Sequence, residues 1–230
     1  MLPYATHIIN QVAEKTERAI LFHSATGKDS IALLDLMYPH FREVVCVYMY
    51  IVRDLEHINK YILWAKNKYP AIKFLQIPHY ALSQYIRDGF MGCRRDKTQR
   101  VYQLNHITAM VKKNTGIEWA FFGFKQSDNM NRRLQLKGYK DEGIYENTKN
   151  AYPLSRYKNA DMERYIKIKK LIPPVKYGYG ASQGTAINSL PFLLYCKDFY
   201  PNDYQKVIKE FPQCERIMFE YEKYKEEVEA

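Results

Sequence analysis

The sequence contains few cysteines, and their spacing is not that of metal ligands or of a disulfide framework. The 230 residues include Cys46, Cys93, Cys196 and Cys214, and no two of them form a CxxC pair. This spacing excludes a disulfide scaffold and a zinc knuckle, and it favours a reducing, cytoplasmic compartment. The six histidines form no HExxH pair either, so no zinc protease site is expected.

Long apolar runs are absent as well. No run approaches the ~20 residues that a helix needs to span a bilayer, and residues 1–17 lack the continuous apolar segment of a secretory signal. We therefore expect a cytoplasmic protein without membrane contacts. Apolar residues make up 47% and charged residues 26% of the chain, which is the globular range and excludes global disorder.

Acidic residues are the minority among the charges. The chain carries 35 Lys and Arg against 25 Asp and Glu, for a formal net charge of +10. A surplus of this sign is compatible with good solubility alone or with an anionic partner, either a nucleotide or a nucleic acid. The basic residues are scattered rather than gathered in an arginine-rich tail, so charge alone does not decide between these partners.

Strand and helix patterns alternate along the chain. Short apolar runs predict strands, and amphipathic stretches between them predict helices. The predicted strands are Ala19–His23, Val44–Met49, Ile72–Ile77, Glu118–Phe124 and the brief extended piece Ala151–Leu154. The predicted helices are Asp29–Met37, Asp54–Tyr69, Ala81–Arg87, Arg95–Asn114, Asp161–Lys170 and a helical tail from Pro201 onward. This alternation predicts an α/β fold with a doubly wound, mostly parallel sheet of about five strands.

One loop carries the most specific chemical pattern. It follows the first predicted strand and consists of Ser24, Ala25, Thr26, Gly27, Lys28, Asp29 and Ser30. Backbone N–H groups at the start of the next helix are unpaired, and the helix dipole favours an anion there. Gly27 lets the backbone approach a phosphate closely, three hydroxyls can donate to it, and Lys28 adds positive charge. Asp29 can accept from loop amides or help to hold Mg²⁺. The loop therefore predicts a phosphate-binding site.

The loop lacks the spacing of a Walker A motif and of GxGxxG. It resembles instead the SGGKDS signature of the PP-loop ATP pyrophosphatases and phosphoadenylyl-sulfate (PAPS) reductases, which share the adenine nucleotide alpha hydrolase-like fold. Ser24, Gly27, Lys28, Asp29 and Ser30 agree with the signature, whereas Ala25 and Thr26 depart from the family's common Gly-Gly.

A later segment resembles the same family. Phe122–Arg133 is similar to the family's succession of strand, glycine, basic residue and serine-arginine, and it contains Gly123, Lys125, Arg132 and Arg133. The resemblance implies that this segment supplies positive charge to the phosphate or sulfate end of a nucleotide. The whole resemblance covers about residues 18 to 180 and includes two weaker segments, Gly92–Lys97 and Tyr152–Leu171.

The loop and the later segment both follow predicted parallel strands, so they should meet at one edge of the sheet. We expect them to form one cleft in which Arg132 or Arg133 reaches the anion, because a guanidinium binds phosphate or sulfate bidentately. The alternative is an exposed helix face that carries both arginines. His23, at the border of the loop, is either a ligand contact or a buried structural residue.

The resemblance implies an enzyme that binds an adenine nucleotide, either ATP with Mg²⁺ or PAPS. Lys28, Asp29 and Arg132 are then the predicted catalytic residues, and Asp29 is the predicted metal ligand. Group transfer from ATP by cleavage between the α and β phosphates fits sulfur metabolism or nucleic-acid modification. A nucleic acid or a sulfur carrier is a compatible partner, and so is a further copy of the chain in an oligomer.

One family motif is missing. Reductases of the family carry a C-terminal Glu-Cys-Gly-(Leu/Ile)-His string with the nucleophile, and this sequence has none. Cysteine pairs for an iron–sulfur cluster are missing too, so no such cluster is expected. Two alternatives therefore stand beside the ATP enzyme. One is a true PAPS reductase that uses Cys196 or Cys214, and the other is a non-catalytic nucleotide-binding assembly module.

The resemblance and the change of pattern after Gly143 also suggest a division of the chain. We expect a PP-loop nucleotide-binding domain in residues 1–172. Residues 173–230 would form a loop and a helical C-terminal extension packed on that domain. The stretch Tyr177–Ser189 holds three glycines and predicts the loop.

Overall fold

Strands and helices alternate in the computed structural model, which describes residues 2–177 and 186–229. The strands are β1 (Arg18–Phe22), β2 (Glu43–Tyr50), β3 (Ile72–Pro78), β4 (Ala120–Phe122), β5 (Ile144–Tyr145) and β6 (Asn150–Ala151). The α-helices are α1 (Pro3–Ala13), α2 (Lys28–Met37), α3 (Glu56–Lys68), α4 (Tyr80–Asp88), α5 (Leu104–Thr115), α6 (Met130–Lys137), α7 (Asn159–Ile168), α8 (Leu190–Phe199), α9 (Pro201–Glu210) and α10 (Cys214–Glu229). Residues 178–185, most of the predicted loop Tyr177–Ser189, lie outside the described residues.

The strands form one sheet in the order β3-β2-β1-β4-β6-β5. β1 pairs in parallel with β2 and β4, β4 pairs in parallel with β6, and β5 is antiparallel to β6. This architecture confirms the predicted α/β fold and adds one short edge strand, β5, to the five that the sequence predicts. β1 is paired on both sides and its residues Ala19–Phe22 are buried, which explains its continuous apolar run.

The sheet has a switch point beside β1. The chain adds β2 and β3 on one side of β1 and then places β4 on the other side. In open α/β sheets, ligands bind in the crevice at the carboxyl ends of the strands where the order reverses. The loop after β1 and the segment after β4 flank this point, since Phe22 and Phe122 are paired residues whose rings stack 4.8 Å apart.

The chain divides into two compact units. The first comprises Met1–Tyr48, Tyr61–Gln76 and Thr108–Val175, and the second comprises Met49–Lys60, Ile77–Ile107 and Lys176–Ala230. In the first unit, α2 packs on α1 and α7; in the second, α8, α9 and α10 pack on one another. The predicted division at residue 172 stays a prediction. No helix in the described ranges is both long enough and apolar enough to cross a membrane.

The predicted helix Arg95–Asn114 is wrong at its start. α5 begins only at Leu104, because Asp96 forms an Asx turn in which Oδ1 accepts from the Thr98 N–H and hydroxyl at 2.8 and 2.6 Å. The Tyr102 N–H donates to the Ser83 hydroxyl at 2.9 Å, which fixes the chain before the helix in a non-helical path. Three observed helices, α1, α6 and α8, have no counterpart among the predicted elements.

Candidate functional site

The phosphate-loop candidate joins β1 to α2, as the sequence predicts. Gly27 is the N-cap residue of α2, with φ −79° and ψ 134°, and no side chain caps the helix start. The N–H groups of the first turn therefore lack the side-chain acceptor that closes many helix starts, and they provide donors for an anion. Lys28 is the first residue of the helix, and its side chain is partly exposed.

Hydrogen bonds within the loop hold its shape. The Ser30 hydroxyl accepts from the Ser24 N–H at 2.9 Å, and the two serine hydroxyl oxygens also lie 2.9 Å apart. The Thr26 carbonyl accepts from the Val175 N–H at 3.2 Å. Ser30 is thus engaged inside the loop, although the sequence predicts that its hydroxyl faces a phosphate.

Ala25 has an unusual backbone conformation. Its φ is 55°, in the left-handed region, and its methyl group is buried. A residue with a Cβ adopts this conformation at a cost of about 1–2 kcal/mol, whereas glycine adopts it freely. The alanine therefore needs support from its surroundings.

The segment after β4 lies directly against the loop. A Cβ added at Gly123 would be 3.2 Å from the Cβ of Asp29, so only glycine allows this close approach without a shift. The buried Lys125 Nζ lies 2.6 Å from Asp29 Oδ2 and 3.2 Å from Asp128 Oδ1. The structure thus brings the two predicted segments together through an ion pair.

Asp128 organises the second segment. It accepts from the Lys125 N–H at 2.9 Å and from Arg132 Nη1 at 2.6 Å. Burial acts to raise the pKa of Asp128, but the Lys125 N–H, the Lys125 ammonium and Arg132 outweigh it and hold that pKa below its ordinary value. The Arg132 guanidinium also lies over the Phe124 ring, 3.9 Å from its centre.

Asp29 has one occupied and one open carboxylate oxygen. Oδ2 faces Lys125 and lies 3.5 Å from Lys28 Nζ. Oδ1 is buried and has no hydrogen-bond partner among residues 2–177 and 186–229. A buried acceptor without a partner is costly, so this oxygen is suited to a ligand donor or a cation.

The side chains of this site fit Mg²⁺ only when the ion is also bound by the phosphates of a nucleotide. The part of the chain that the structure describes holds no group of three His, Cys, Asp or Glu side chains suited to a metal ion. Mg²⁺ is commonly bound through one or two carboxylates together with substrate phosphates and water. The open oxygen of Asp29 meets that requirement.

The predicted residues fall into two groups. Lys28, Asp29, Gly123, Lys125 and Arg132 belong to one charged cluster, whereas Arg133 is exposed on α6. Sequence reasoning missed one member of this cluster, the aspartate at position 128. Its spacing of three residues after the lysine and four before the arginine was the available signal.

The four cysteines are poor nucleophiles in this fold. Burial raises the pKa of Cys196 to about 12 and that of Cys214 to about 11. Burial also raises the pKa of Cys46 and of Cys93. The thiolate is the reactive form of cysteine, and burial disfavours that form at all four positions.

The strand order, the loop at the switch point and the charged cluster define an α/β protein of the adenine nucleotide alpha hydrolase-like class. The family model of the phosphoadenosine phosphosulfate reductase domain matches residues 19–177. The chain belongs to this family, which confirms the resemblance seen in the loop. No curated protein matches the sequence.

Three solved structures are similar to this chain at low sequence identity. The PAPS reductase of Candida auris in its phosphate complex is 10% identical, with a TM-score of 0.51 over 79% of this chain and 88% of that chain. The U34-tRNA thiolase NcsA of Methanococcus maripaludis, with its 4Fe-4S cluster, is 12% identical, with a TM-score of 0.46 over 92% and 79%. The NH₃-dependent NAD synthetase of Campylobacter jejuni is 10% identical, with a TM-score of 0.48 over 92% and 93%.

Proposed function

We propose that this chain binds ATP at the loop Ser24–Ser30 and transfers its AMP moiety to an acceptor, with release of pyrophosphate. The observation that carries the proposal is the meeting of an uncapped helix start with Lys28, Asp29 and Lys125 beside the switch point of the sheet. Helix N–H donors and lysine cations stabilise phosphate oxygens, and this is the charge that grows on a leaving pyrophosphate.

The proposed step is a substitution at the α-phosphorus. An oxygen of a carboxylic acid or carbonyl acceptor attacks that phosphorus, and the bond from it to the oxygen shared with the β-phosphorus breaks. The acceptor then carries AMP, and pyrophosphate leaves with the bonding electron pair. No electron donor or oxidant is needed.

Each residue of the charged cluster has a proposed role. Lys28 and the N–H groups of the first turn of α2 hold the β and γ phosphates. Arg132, oriented by Asp128 and Phe124, binds a phosphate oxygen with the N–H donors that Asp128 leaves open. Mg²⁺ bound with ATP would be held by Asp29 Oδ1 and phosphate oxygens, and it would neutralise charge on the leaving group.

Family membership favours a second candidate, sulfonucleotide reduction. That reaction needs a cysteine thiolate, and burial raises the pKa of every cysteine in the chain. ATP chemistry needs no thiol, and for this reason we prefer it. A polyanionic acceptor such as a nucleic acid is consistent with the net charge of +10.

Titration calorimetry with the full chain tests the binding step. ATP with Mg²⁺ and its uncleavable α,β-methylene analogue should both bind. Lys28→Ala should weaken ATP binding by about tenfold or more, the scale of one charge-assisted contact at roughly 1.5–3 kcal/mol. Lys113→Ala is the matched control, because Lys113 is an exposed lysine of α5 and its loss should leave ATP affinity unchanged.

The chemistry has its own readouts. Pyrophosphate release from ATP with cell-extract acceptors, and none from the methylene analogue, supports the proposal. Binding of PAPS or adenylyl sulfate without ATP, together with thioredoxin-dependent sulfite release, would replace it with the reductase. Tight ATP binding without any turnover would favour the non-catalytic module.

A further inference from the structure

His23 is the last residue before the loop, and it is fully buried beside the strained Ala25. Its Nδ1 accepts a hydrogen bond from the Ala25 N–H at 2.9 Å. Its Nε2 lies 3.0 Å from the Tyr61 hydroxyl oxygen, and its ring packs edge-on against Phe74 at 5.6 Å. The imidazole therefore connects the loop backbone to a fixed point on α3.

The two hydrogen bonds select one form of the ring. A nitrogen that accepts from a backbone N–H carries no proton, so Nδ1 must be the bare nitrogen. The proton of a neutral ring then sits on Nε2 and is donated to Tyr61. Burial lowers the pKa of His23 to about 3, which agrees with a neutral ring throughout the physiological range.

This arrangement supplies the support that Ala25 needs. The hydrogen bond to the His23 ring fixes the peptide unit at which the left-handed residue Ala25 begins. Glycine at position 25 would adopt the same φ without help. The histidine and the alanine therefore act as a pair, because the His23 ring supports a backbone conformation that an alanine does not readily adopt alone.

We propose that His23, as the neutral Nε2–H tautomer anchored by Tyr61, is a positioning residue that holds Ala25 and the loop in their ligand-binding conformation. It acts through Ala25 and does not itself donate or accept a proton in the reaction. The effect on ligand affinity rests on the proposed function, whereas the tautomer and the backbone conformation do not.

Affinity for ATP tests the pair through four variants. His23→Leu removes the acceptor, and we expect a three- to tenfold loss of affinity, the scale of one neutral hydrogen bond. His23→Asn places an oxygen where Nδ1 was, and should restore most of the affinity. Ala25→Gly should change affinity little by itself. In the double variant Ala25→Gly with His23→Leu, the loss should be smaller than in His23→Leu alone.

If His23 only stabilised the fold, the ATP affinities of the four variants would follow another pattern. Equal losses in His23→Leu and His23→Asn, with no recovery in the Ala25→Gly background, would overturn the proposal. Circular dichroism and melting temperature identify variants that have lost the fold. His23→Asn keeps the test valid if His23→Leu does not fold.

The ring itself can be observed without any nucleotide. Nitrogen-15 NMR of the full chain distinguishes Nδ1–H from Nε2–H histidine, and it follows protonation with pH. We expect an Nε2–H ring at position 23 that stays neutral from pH 8 to about pH 5. An Nδ1–H ring, or titration near the ordinary value of about 6.5, would overturn the inference even if ATP binds. If no nucleotide binds but the Nε2–H ring is found, the proposed function fails, while the tautomer of His23 and its support of the loop backbone stand.

Discussion

Replacing Lys125 with methionine should destabilise the first unit, because it removes the cation between two carboxylates. Methionine fills similar space but carries no charge. Asp29 Oδ2 and Asp128 Oδ1 lie 2.6 and 3.2 Å from the lysine Nζ, and the lysine side chain is only 1% exposed. The two carboxylates would then repel each other across an apolar side chain.

The size of the effect follows from the exposure of the partners. Breaking a fully buried ion pair by removing one partner costs about 3–5 kcal/mol. Here the aspartate side chains are 25% and 19% exposed, and Arg132 still binds Asp128, so part of the charge stays solvated or paired. We therefore expect a loss of about 2–3 kcal/mol, which corresponds to a fall in Tm of about 5–10 °C for a chain of this length.

Thermal unfolding followed by circular dichroism measures this loss. Lys113→Met changes an exposed lysine in the same unit and should stay within about 0.5 kcal/mol of the parent protein. Adding Asp29→Asn to Lys125→Met should restore part of the stability, because the neutral side chain no longer needs the cation. A Tm equal to that of the Lys113 variant, or additive losses in the double variant, would refute the importance of this ion pair.

The remaining predictions concern a glycine, a buried aspartate and the thiols. Gly123→Ala should lower ATP affinity severalfold by calorimetry, whereas Gly138→Ala, whose added Cβ has its nearest neighbour at 3.5 Å, should not; equal effects would contradict the close-approach argument. Asp203→Asn should lower the Tm by the equivalent of about 1.5–3 kcal/mol, the scale of a hydrogen bond to a charged group, because the buried Asp203 Oδ2 lies 2.9 Å from His57 Nδ1. Burial acts to raise the pKa of Asp203, but its bonds to His57 and to the start of α3 hold that pKa below 3.8. A carboxyl group whose pKa is lower in the folded than in the unfolded protein stabilises the fold at pH values above its unfolded-state pKa, and this contribution is lost as the pH falls through the folded-state pKa. The Tm difference between Asp203→Asn and the parent protein should therefore shrink below pH 3.8 and not above it. Pyrophosphate release should survive in the variant with Cys93→Ser, Cys196→Ala and Cys214→Ala, and its loss with an intact fold would point to thiol chemistry.

The sheet and the loop could be predicted because their signals are local. β1 is buried and paired on both sides, so each of its last four residues must be apolar, and the run is visible without any partner. The loop must leave the N–H groups at the start of one helix open to an anion, and a short sequence of small and polar residues is sufficient to indicate this. The strand β5 has only two residues, which is too short for a periodic sequence pattern, so it could not be predicted.

Features that depend on distant partners could not be predicted. In the predicted helical tail, the apolar residues that repeat at helical spacing are Ile217, Tyr221, Tyr224 and Val228. In α10 the buried side chains are instead Cys214 and Met218, while Tyr224 and Val228 are 66% exposed. α10 packs on α8, a helix that is not among the predicted elements. The face of α10 that becomes buried therefore could not be predicted either.

The two arginines at the start of α6 show how the structure resolves an ambiguity of the sequence. Arg132 is fixed by Asp128 at 2.6 Å and by the Phe124 ring, whereas Arg133 is exposed. Ordering a free arginine on binding costs up to about 2 kcal/mol of side-chain entropy, and Arg132 has lost most of that freedom already. We therefore infer that Arg132 contributes more to ATP affinity.

Lysine at either position keeps the charge but cannot bind a phosphate through two parallel N–H bonds. Arg132→Lys should weaken ATP binding by about tenfold, and Arg133→Lys by less than about threefold. Calorimetry on both variants, with Tm as the control for folding, measures the difference. A larger effect at position 133 would mean that the exposed arginine moves onto the ligand, and that the contacts of Arg132 with Asp128 and Phe124 serve stability alone.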